Sequence, residues 1–165
     1  MNVTIQSARM RKYFLAAGVI AAALPFVSTT SYAGSCPAGK EATDAMKPGA
    51  TEPKGVTDTV LSQVDLSKEA VKLDDHMFRL RRLEVKAGGV VPWHSHGDRP
   101  AIIYIVSGSI TEYSSNCAVP IEHKAGEVAM ESIGLSHWWK NNGKKSVVLL
   151  SADILHVQKE DGHTM

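Results

Sequence analysis

The sequence lacks several features that would assign a protein class at once. It has no apolar run long enough for a membrane-spanning helix, because the longest, residues 14–27, is shorter than the ~20 residues that such a helix needs. No charge of one sign dominates, since 18 Lys and Arg stand against 17 Asp and Glu. Internal repeats and low-complexity tracts are also missing. These absences disfavour stable membrane insertion, a cationic surface for nucleic acid, and repeat architectures.

The first 33 residues have the pattern of a secretory signal peptide. Arg9, Arg11 and Lys12 precede the apolar run, and residues 31–33 form a small-x-small cleavage site. Cleavage there would remove three of the 18 basic residues and no acidic one, which leaves 15 basic against 17 acidic residues. We therefore predict export across the inner membrane to the periplasm, with a mature chain that begins at Gly34. A retained N-terminal anchor is the alternative.

Cysteine is scarce, and both copies, Cys36 and Cys117, lie in the part predicted to be exported. An even count in an oxidising compartment predicts one disulfide between them, and two free thiols are the alternative. Residues 34–55 are rich in Pro, Gly, Ala, Thr and Lys and show no apolar period. They predict a flexible arm or linker, which the disulfide would tie to the rest of the chain.

Short strand-like segments separated by turn residues fill the chain from residue 56 onward. The candidate strands are 77–86, 101–107, 127–133, 138–140 and 147–154. The only helical period is a short one over residues 66–71. The pattern predicts an all-β domain over residues 56–157, followed by a C-terminal tail at 158–165.

Three histidines have the spacing of metal ligands. His94 and His96 are one residue apart in a strand-like segment, so their side chains project from the same face. Two imidazoles on one face can clamp a divalent cation. His137, from a distant strand, would complete a facial set that leaves coordination positions open to substrate. The sequence therefore predicts one divalent metal ion on these three residues.

These histidines lie in two motifs that resemble those of the cupins, a family of small double-stranded β-helix (jelly-roll) barrels. The first family motif is G-x5-H-x-H-x3,4-E-x6-G, matched here by Gly88, His94, His96 and Gly108. The second is G-x5-P-x-G-x2-H-x3-N, matched here by Gly126, Gly134, His137 and Asn141. The resemblance implies an all-β jelly-roll cupin barrel with a metal site.

Two positions depart from the family pattern. Its proline falls on Ser132, which can replace a turn residue, and its glutamate ligand falls on Ala101. Loss of that glutamate changes the charge of the site. Glu131 or Asp98 could replace it, although solvated surface acids are the prediction for both.

A bound ion with three neutral imidazoles would keep its full positive charge and attract an anionic or enolisable substrate. Among cupins, such sites occur in dioxygenases that cleave diketones or gentisate-like rings or that oxidise thiols, which is what the resemblance implies for the reaction. Fe²⁺ is therefore the favoured ion, with Zn²⁺, Mn²⁺, Ni²⁺ and Cu²⁺ as alternatives.

Strand parity suggests a substrate pocket. If Ala101 faces inward, as the family's glutamate does, Ile103 also faces inward and Tyr104 faces outward. Trp139 shares a face with His137 and should border the metal. Ordinary core packing is the alternative for the apolar members. The predicted pocket residues are Ile103, Ile105, Trp139 and Arg99.

The remaining basic side chains receive no role from the sequence. Three arginines on the strand before the first motif are predicted to face outward, although an inward one would hold a substrate carboxylate. They are Arg79, Arg81 and Arg82. Three further histidines are predicted to be exposed, namely His76, His123 and His163, and His156 is left open.

Two classes of function remain. The first is a metal-dependent oxygenase that acts on a small organic anion or phenolic compound. The second is a non-catalytic cupin that binds or senses a metal or a small molecule. A sugar-type isomerase or lyase is disfavoured, because no inward acid–base pair is evident beside the metal, and no catalytic residue is assigned. The expected partner is a small molecule, and the resemblance allows a homodimer.

Overall fold

Eight β-strands form the regular structure of the protein in this computed structural model, which describes residues 35–157. They are β1 (Lys54–Asp65), β2 (His76–Ser95), β3 (Ala101–Ser107), β4 (Ser109–Ser114), β5 (Ile121–Lys124), β6 (Val128–Glu131), β7 (Ser136–Lys140) and β8 (Val147–His156). The predicted signal peptide and the predicted C-terminal tail lie outside the described residues. Among residues 35–157, no helix is long and apolar enough to cross a membrane.

All strand pairs are antiparallel and belong to one sheet in the order β5-β4-β7-β2-β8-β3-β6, with β1 also paired to β2. The 20-residue β2 runs through the centre of this order and pairs with β1, β7 and β8. The sheet curls into a nearly closed barrel, which confirms the predicted all-β jelly-roll fold. Because β2 and β7 are neighbours, the two histidine motifs meet in space.

Side-chain parity defines the interior of the barrel. Ala101, Ile103 and Ile105 are buried, while Tyr104 between them is 45% exposed, so the predicted phase of β3 is confirmed. Alternation of this kind places every second residue in the core. The core cluster consists of Leu83, Val85, Val91, Ala101, Ile103, Ile105, Ile110, Ala129, Trp139, Val147 and Leu149.

The short helical period over residues 66–71 does not produce a helix. This segment forms successive turns, with hydrogen bonds from Lys68 N to Asp65 O (3.2 Å) and from Glu69 N to Leu66 O (3.4 Å). The Asp65 carboxylate also accepts hydrogen bonds from Ser67 N (3.1 Å) and Ser67 Oγ (2.6 Å). These local bonds give the backbone an alternative to the helix.

The N-terminal arm is tied to the barrel at several points. A disulfide joins Cys36 to Cys117, in the connection between β4 and β5, as the cysteine count predicted. Further along, Trp93 N donates a hydrogen bond of 2.7 Å to Ala50 O. The disulfide closes a loop over a sequence separation of 81, which contributes about 4.5 kcal/mol by the chain-entropy estimate.

Candidate metal centre

The structure brings the three predicted histidine ligands together. His94 lies near the end of β2, His137 lies in β7, and the two are direct cross-strand partners. His96 follows β2 by one residue, and its backbone N–H donates to Leu135 O over 2.9 Å. Their ring centroids are 4.7–5.0 Å apart.

The turn before β7 aims His137 into the barrel. Leu135 N donates to Ser132 O over 3.1 Å, which closes a turn in which Gly134 has a φ of 86°. This left-handed conformation favours glycine, and serine replaces the family's proline without opening the turn. At the other end of β7, the buried Asn141 side chain donates to Val85 O (2.9 Å) and to two further carbonyls. Both ends of the ligand strand are therefore fixed.

The reactive nitrogens of the histidines converge on one point. His137 Nε2 is 3.2 Å from His94 Nε2 and 3.1 Å from His96 Nε2. With metal–nitrogen distances of about 2.1 Å, neighbouring ligand atoms stand about 3.0 Å apart at right angles and about 3.4 Å apart at the tetrahedral angle. The observed separations match this range.

Each histidine is oriented through its other ring nitrogen. The Nδ1 atom lies 2.8 Å from Pro92 O in His94 and 2.7 Å from Arg99 O in His96. A carbonyl oxygen can only accept, so Nδ1 carries the proton and Nε2 presents a lone pair. Lone pairs that face one another in a buried site repel, and a shared cation removes that repulsion. The residues present therefore fit a divalent metal ion.

A carboxylate completes the cluster, and it is Glu131. Its Oε2 lies 3.1 Å from His96 Nε2, and its Oε1 lies 3.3 Å from His137 Nε2. The four ligand atoms of His94, His96, Glu131 and His137 lie within 4.8 Å of one another. Glu131 is only 5% exposed, so the prediction of a solvated surface acid is wrong for it. Asp98 is exposed and is outside the cluster.

The position of Glu131 explains how the site tolerates Ala101. In the β3–β6 ladder these two residues are direct cross-strand partners, and both are buried. Directly opposed side chains on one face are only about 5 Å apart. The carboxylate therefore stands beside the place where the family motif has it, but on the neighbouring strand.

Burial and charge set the protonation of the four groups. Burial, with repulsion from His137, lowers the pKa of His94 to about 2 and that of His96 to about 4. Both rings are therefore neutral near pH 7, as metal ligation requires. Burial raises the pKa of Glu131. Burial opposes protonation of His137, but the nearby Glu131 and Glu112 outweigh it and raise the pKa of His137.

Two more buried residues stand behind His137. Glu112 Oε1 lies 2.6 Å from His137 Nδ1, and Glu112 Oε2 lies 2.8 Å from His123 Nε2. Burial would raise the pKa of Glu112, but the hydrogen bonds from His123 and His137 lower it to about 2. The prediction that His123 is exposed is wrong, because β5 turns its side chain into the barrel, where it is 0% exposed.

A pocket opens beside the cluster. Its walls include His94, Glu131 and the predicted residues Ile103, Trp139 and Arg99. The remaining lining residues are Arg81, Leu83, Val91, Pro92, Trp93, Leu149 and Ser151. Ile105, also predicted for this pocket, is wholly buried in the core and is not among its walls, because it lies further along β3 from the metal cluster.

The arginines of β2 divide by parity. Arg79 and Arg81 point into the barrel and are buried, so the outward prediction is wrong for both, while Arg82 points outward as predicted. Buried Asp153 accepts two hydrogen bonds from Arg79, at 3.0 and 2.7 Å, and Arg81 forms an ion pair with Asp58. These carboxylates supply the charge that buried guanidinium groups need.

Arg99 has a weaker ion pair than the two buried arginines of β2, Arg79 and Arg81. Its Nε is 3.9 Å from Asp153 Oδ2, a carboxylate that Arg79 already holds with two hydrogen bonds. Burial and the nearby Arg81 lower the pKa of Arg99, but a guanidinium remains charged at neutral pH. The pocket therefore contains a cation that is only partly compensated by the protein.

Comparison with known proteins agrees with this geometry. A family model described as a cupin domain matches residues 81–153, which contain all four residues of the cluster. Residues 81–153 of the barrel match a cupin domain. Two solved structures have a similar fold, each with a TM-score of 0.50. A predicted oxalate decarboxylase from Thermotoga maritima is 22% identical in sequence, and the match covers 70% of this chain and 97% of that one. The polyketide cyclase RemF from Streptomyces resistomycificus is 21% identical, and the match covers 66% of this chain and 73% of that one. At these identities the likeness shows the fold alone.

Two curated plant proteins are similar in sequence to this cupin. Nectarin-1 of Nicotiana plumbaginifolia is 28% identical over 109 residues, which are 64% of this chain and 46% of nectarin-1. Germin-like protein subfamily 2 member 2 of Arabidopsis thaliana is 33% identical over 76 residues, which are 44% of this chain and 35% of that protein. The chain spans less than half the length of either relative.

Proposed function

We propose that this cupin is a metal-dependent enzyme, an oxygenase that acts on a small organic anion. The observation that carries the proposal is a four-residue ligand cluster, His94, His96, Glu131 and His137, beside a pocket that also contains Arg99. A purely structural metal site is enclosed by protein, whereas His94 and Glu131 of this cluster border a pocket. Fe²⁺ is the proposed ion, as the resemblance to three-histidine dioxygenases suggested.

The metal, when bound, would act as a Lewis acid toward a chelating substrate and, as Fe²⁺, as the centre of oxygen chemistry. Glu131 revises the charge expected from three histidines, because its carboxylate cancels part of the ion's charge. The anion preference then depends on Arg99 as well as on the metal. A substrate carboxylate within reach of both groups would be held at two points, which fixes its orientation.

The apolar walls act on the rest of the substrate. Ile103, Val91 and Trp139 are buried core residues that also line the pocket, so water has little access to that side. Exclusion of water strengthens the charge interactions of Arg99 and Glu131. The same walls would accommodate an aromatic ring, which keeps a phenolic substrate as the second chemistry to test.

Oxygen uptake with a panel of small carboxylates and phenols, on protein loaded with Fe²⁺, tests the proposal. Arg99→Met should lower kcat/KM for a carboxylate by roughly 10- to 100-fold, since a hydrogen bond to a charged group contributes ~1.5–3 kcal/mol. Arg82→Met is the matched control, because Arg82 lies outside the pocket and should leave the rate unchanged.

Metal content and oxygen uptake together decide between the two classes of function. His96→Ala should abolish stoichiometric metal binding, whereas His76→Ala, in a histidine outside the cluster, should not. Tight metal binding without uptake of oxygen on any member of the panel would select the non-catalytic binding or sensing cupin. Equal metal content in both variants would remove the basis of either class.

Export and assembly stand as further proposals. The basic, apolar and small-x-small pattern of residues 1–33 supports a periplasmic location, and the Cys36–Cys117 disulfide suits an oxidising compartment. N-terminal sequencing of the exported protein should begin at Gly34. The homodimer is a proposal from the resemblance, and sedimentation velocity of the exported chain measures it.

A further inference from the structure

One of the three histidine ligands is held differently from the other two. His94 and His96 are oriented by backbone carbonyls, of Pro92 and Arg99, whereas His137 is oriented by the Glu112 carboxylate at 2.6 Å. A charged acceptor makes a shorter and stronger hydrogen bond than a neutral carbonyl. It also draws the Nδ1 proton more strongly, which makes the opposite nitrogen a better donor to a metal.

The strand order places this carboxylate between two histidines. Because β4 lies between β5 and β7, Glu112 reaches His137 on one side and His123 on the other. Both carboxylate oxygens are therefore engaged, and the carboxylate plane is fixed. Glu112 is 4% exposed and His123 is 0% exposed, so water has little opportunity to compete for these bonds.

His123 retains a buried polar atom that stability alone would not favour. Its Nε2 serves Glu112, while its Nδ1 is buried without a hydrogen-bond partner. Its ring stacks on Trp139, with centroids 4.5 Å apart, and Trp139 lines the pocket. An apolar ring at position 123 would keep this stacking and avoid the desolvation cost of the unpaired nitrogen.

We infer that Glu112 and His123 are positioning residues of the metal centre, which together hold His137 with its proton on Nδ1 and its Nε2 lone pair directed at the metal. The inference rests on the proposed metal site but not on the proposed oxygen chemistry. His123 pins one oxygen of Glu112, and the other oxygen then selects the tautomer and the ring plane of His137. His137 is consequently the strongest nitrogen donor of the three.

The tautomer can be measured without any metal. In metal-free protein labelled with ¹⁵N-histidine, at a pH high enough for the His137 ring to be neutral, long-range ¹H–¹⁵N correlations distinguish a protonated Nδ1 from a protonated Nε2. Glu112→Leu removes the acceptor, so the His137 signals should shift toward the Nε2–H form. His96 serves as the internal control, because its Nδ1 partner is a backbone carbonyl that the substitution leaves in place.

Metal affinity is the second readout, measured by titration with Co²⁺. Glu112→Gln keeps an acceptor but removes the charge, and should weaken binding by about 10- to 100-fold, the usual cost of losing a partner of a metal-bound histidine. His123→Phe keeps a ring against Trp139, and its Co²⁺ affinity should lie between those of wild type and Glu112→Gln. The visible spectrum of bound Co²⁺ should change in both variants.

The possible outcomes separate this inference from the proposed function. Wild type that binds Co²⁺ but never consumes oxygen overturns the oxygenase and leaves the positioning role standing. Folded Glu112→Gln and His123→Phe with wild-type affinity, spectrum and His137 tautomer overturn the positioning role. If Glu112→Leu does not fold, these two milder variants decide the question by the same measurements.

Discussion

The β2–β8 ribbon has two ends of opposite chemistry on one buried face. At one end the cross-strand pairs are Leu83 with Leu149 and Val85 with Val147, and all four residues are at most 5% exposed. Side chains of this kind stabilise the fold in proportion to the apolar area they bury, about 25 cal/mol per Å². This end needs no partner of specific chemistry.

At the other end the same register pairs Arg79 with Asp153 and Arg81 with Ser151, also buried. Buried ion pairs rarely stabilise more than apolar side chains of equal volume, because both charges lose their hydration. Arg81 and Ser151 line the pocket, and Arg99 lies 3.9 Å from Asp153. Leu83 and Leu149 of the apolar end line the pocket as well. The comparison teaches that the apolar end stabilises the fold by burial alone, whereas the charged end requires matched partners.

The largest expected loss of stability comes from removing one partner of the buried ion pair at the charged end. Arg79→Met should destabilise the protein by about 3–5 kcal/mol, because it leaves Asp153 buried with weaker partners. Leu149→Ala, at the apolar end, should cost a similar amount, about 2–5 kcal/mol, through a cavity. Urea unfolding monitored by tryptophan fluorescence measures both.

The two losses should differ in how they can be repaired. Arg79→Met with Asp153→Leu removes both charges of this pair and should recover part of the stability, because Arg81 and Arg99 lose Asp153 as an ion-pair partner in the same variant. If the double variant unfolds as easily as Arg79→Met alone, then the ion pair stabilises the fold and the contrast between the two ends fails.

The next effect concerns the carboxylate of the metal cluster. Glu131→Ala should weaken Co²⁺ binding by more than the about 10- to 100-fold typical of an outer partner, since a ligand and its charge are both lost. Adding Ala101→Glu to that variant should restore much of the affinity, because Ala101 is the inward cross-strand partner of Glu131. Isothermal titration measures the series.

The control for this exchange is Ala101→Gln in the Glu131→Ala background. It has the same size as the glutamate but no charge, and should restore little. Equal recovery by Gln and Glu would mean that the site needs only volume at this place, and would contradict the assignment of a carboxylate ligand.

The smallest effect is expected on the outward face of β2. Arg82 has a side chain that is 41% exposed, and its ion pair with Glu84 measures 3.4 Å. Arg82→Met should change the free energy of unfolding by less than about 1 kcal/mol, as exposed pairs usually do. A loss as large as that of Arg79→Met would show that burial is not what separates the two arginines.

Strand period made the fold and the histidines predictable. The spacing of His94 and His96 indicated that they share a face, because side chains alternate along an extended segment. His137 came from the resemblance of the second motif to that of the cupins. Glu131 does not follow from spacing. Its role depends on its position opposite Ala101 in the β3–β6 ladder, and the residues of one strand alone do not determine the register of its pairing with another.

Other misses had a signal in the sequence. Arg79 and Arg81 are in phase with the buried Leu83 and Val85, so their parity indicated an inward position. Glu112 is likewise in phase with Ile110 in a short strand. For the two arginines the preference of charged residues for the surface outweighed parity, and that preference fails where buried charges have partners. No role was predicted for Glu112.

The disulfide divides the ligands of the metal centre in a mechanical sense. Cys36 and Cys117 are 81 positions apart, so the bond encloses His94 and His96 in a closed loop and leaves Glu131 and His137 outside it. Tension applied at the two ends of the chain would pass through the sulfur atoms and leave about 280 Å of extended chain slack, at ~3.5 Å per residue. A metal ion bound to all four residues would then link His94 and His96, in the loop that carries no tension, to Glu131 and His137, in the part of the chain that does.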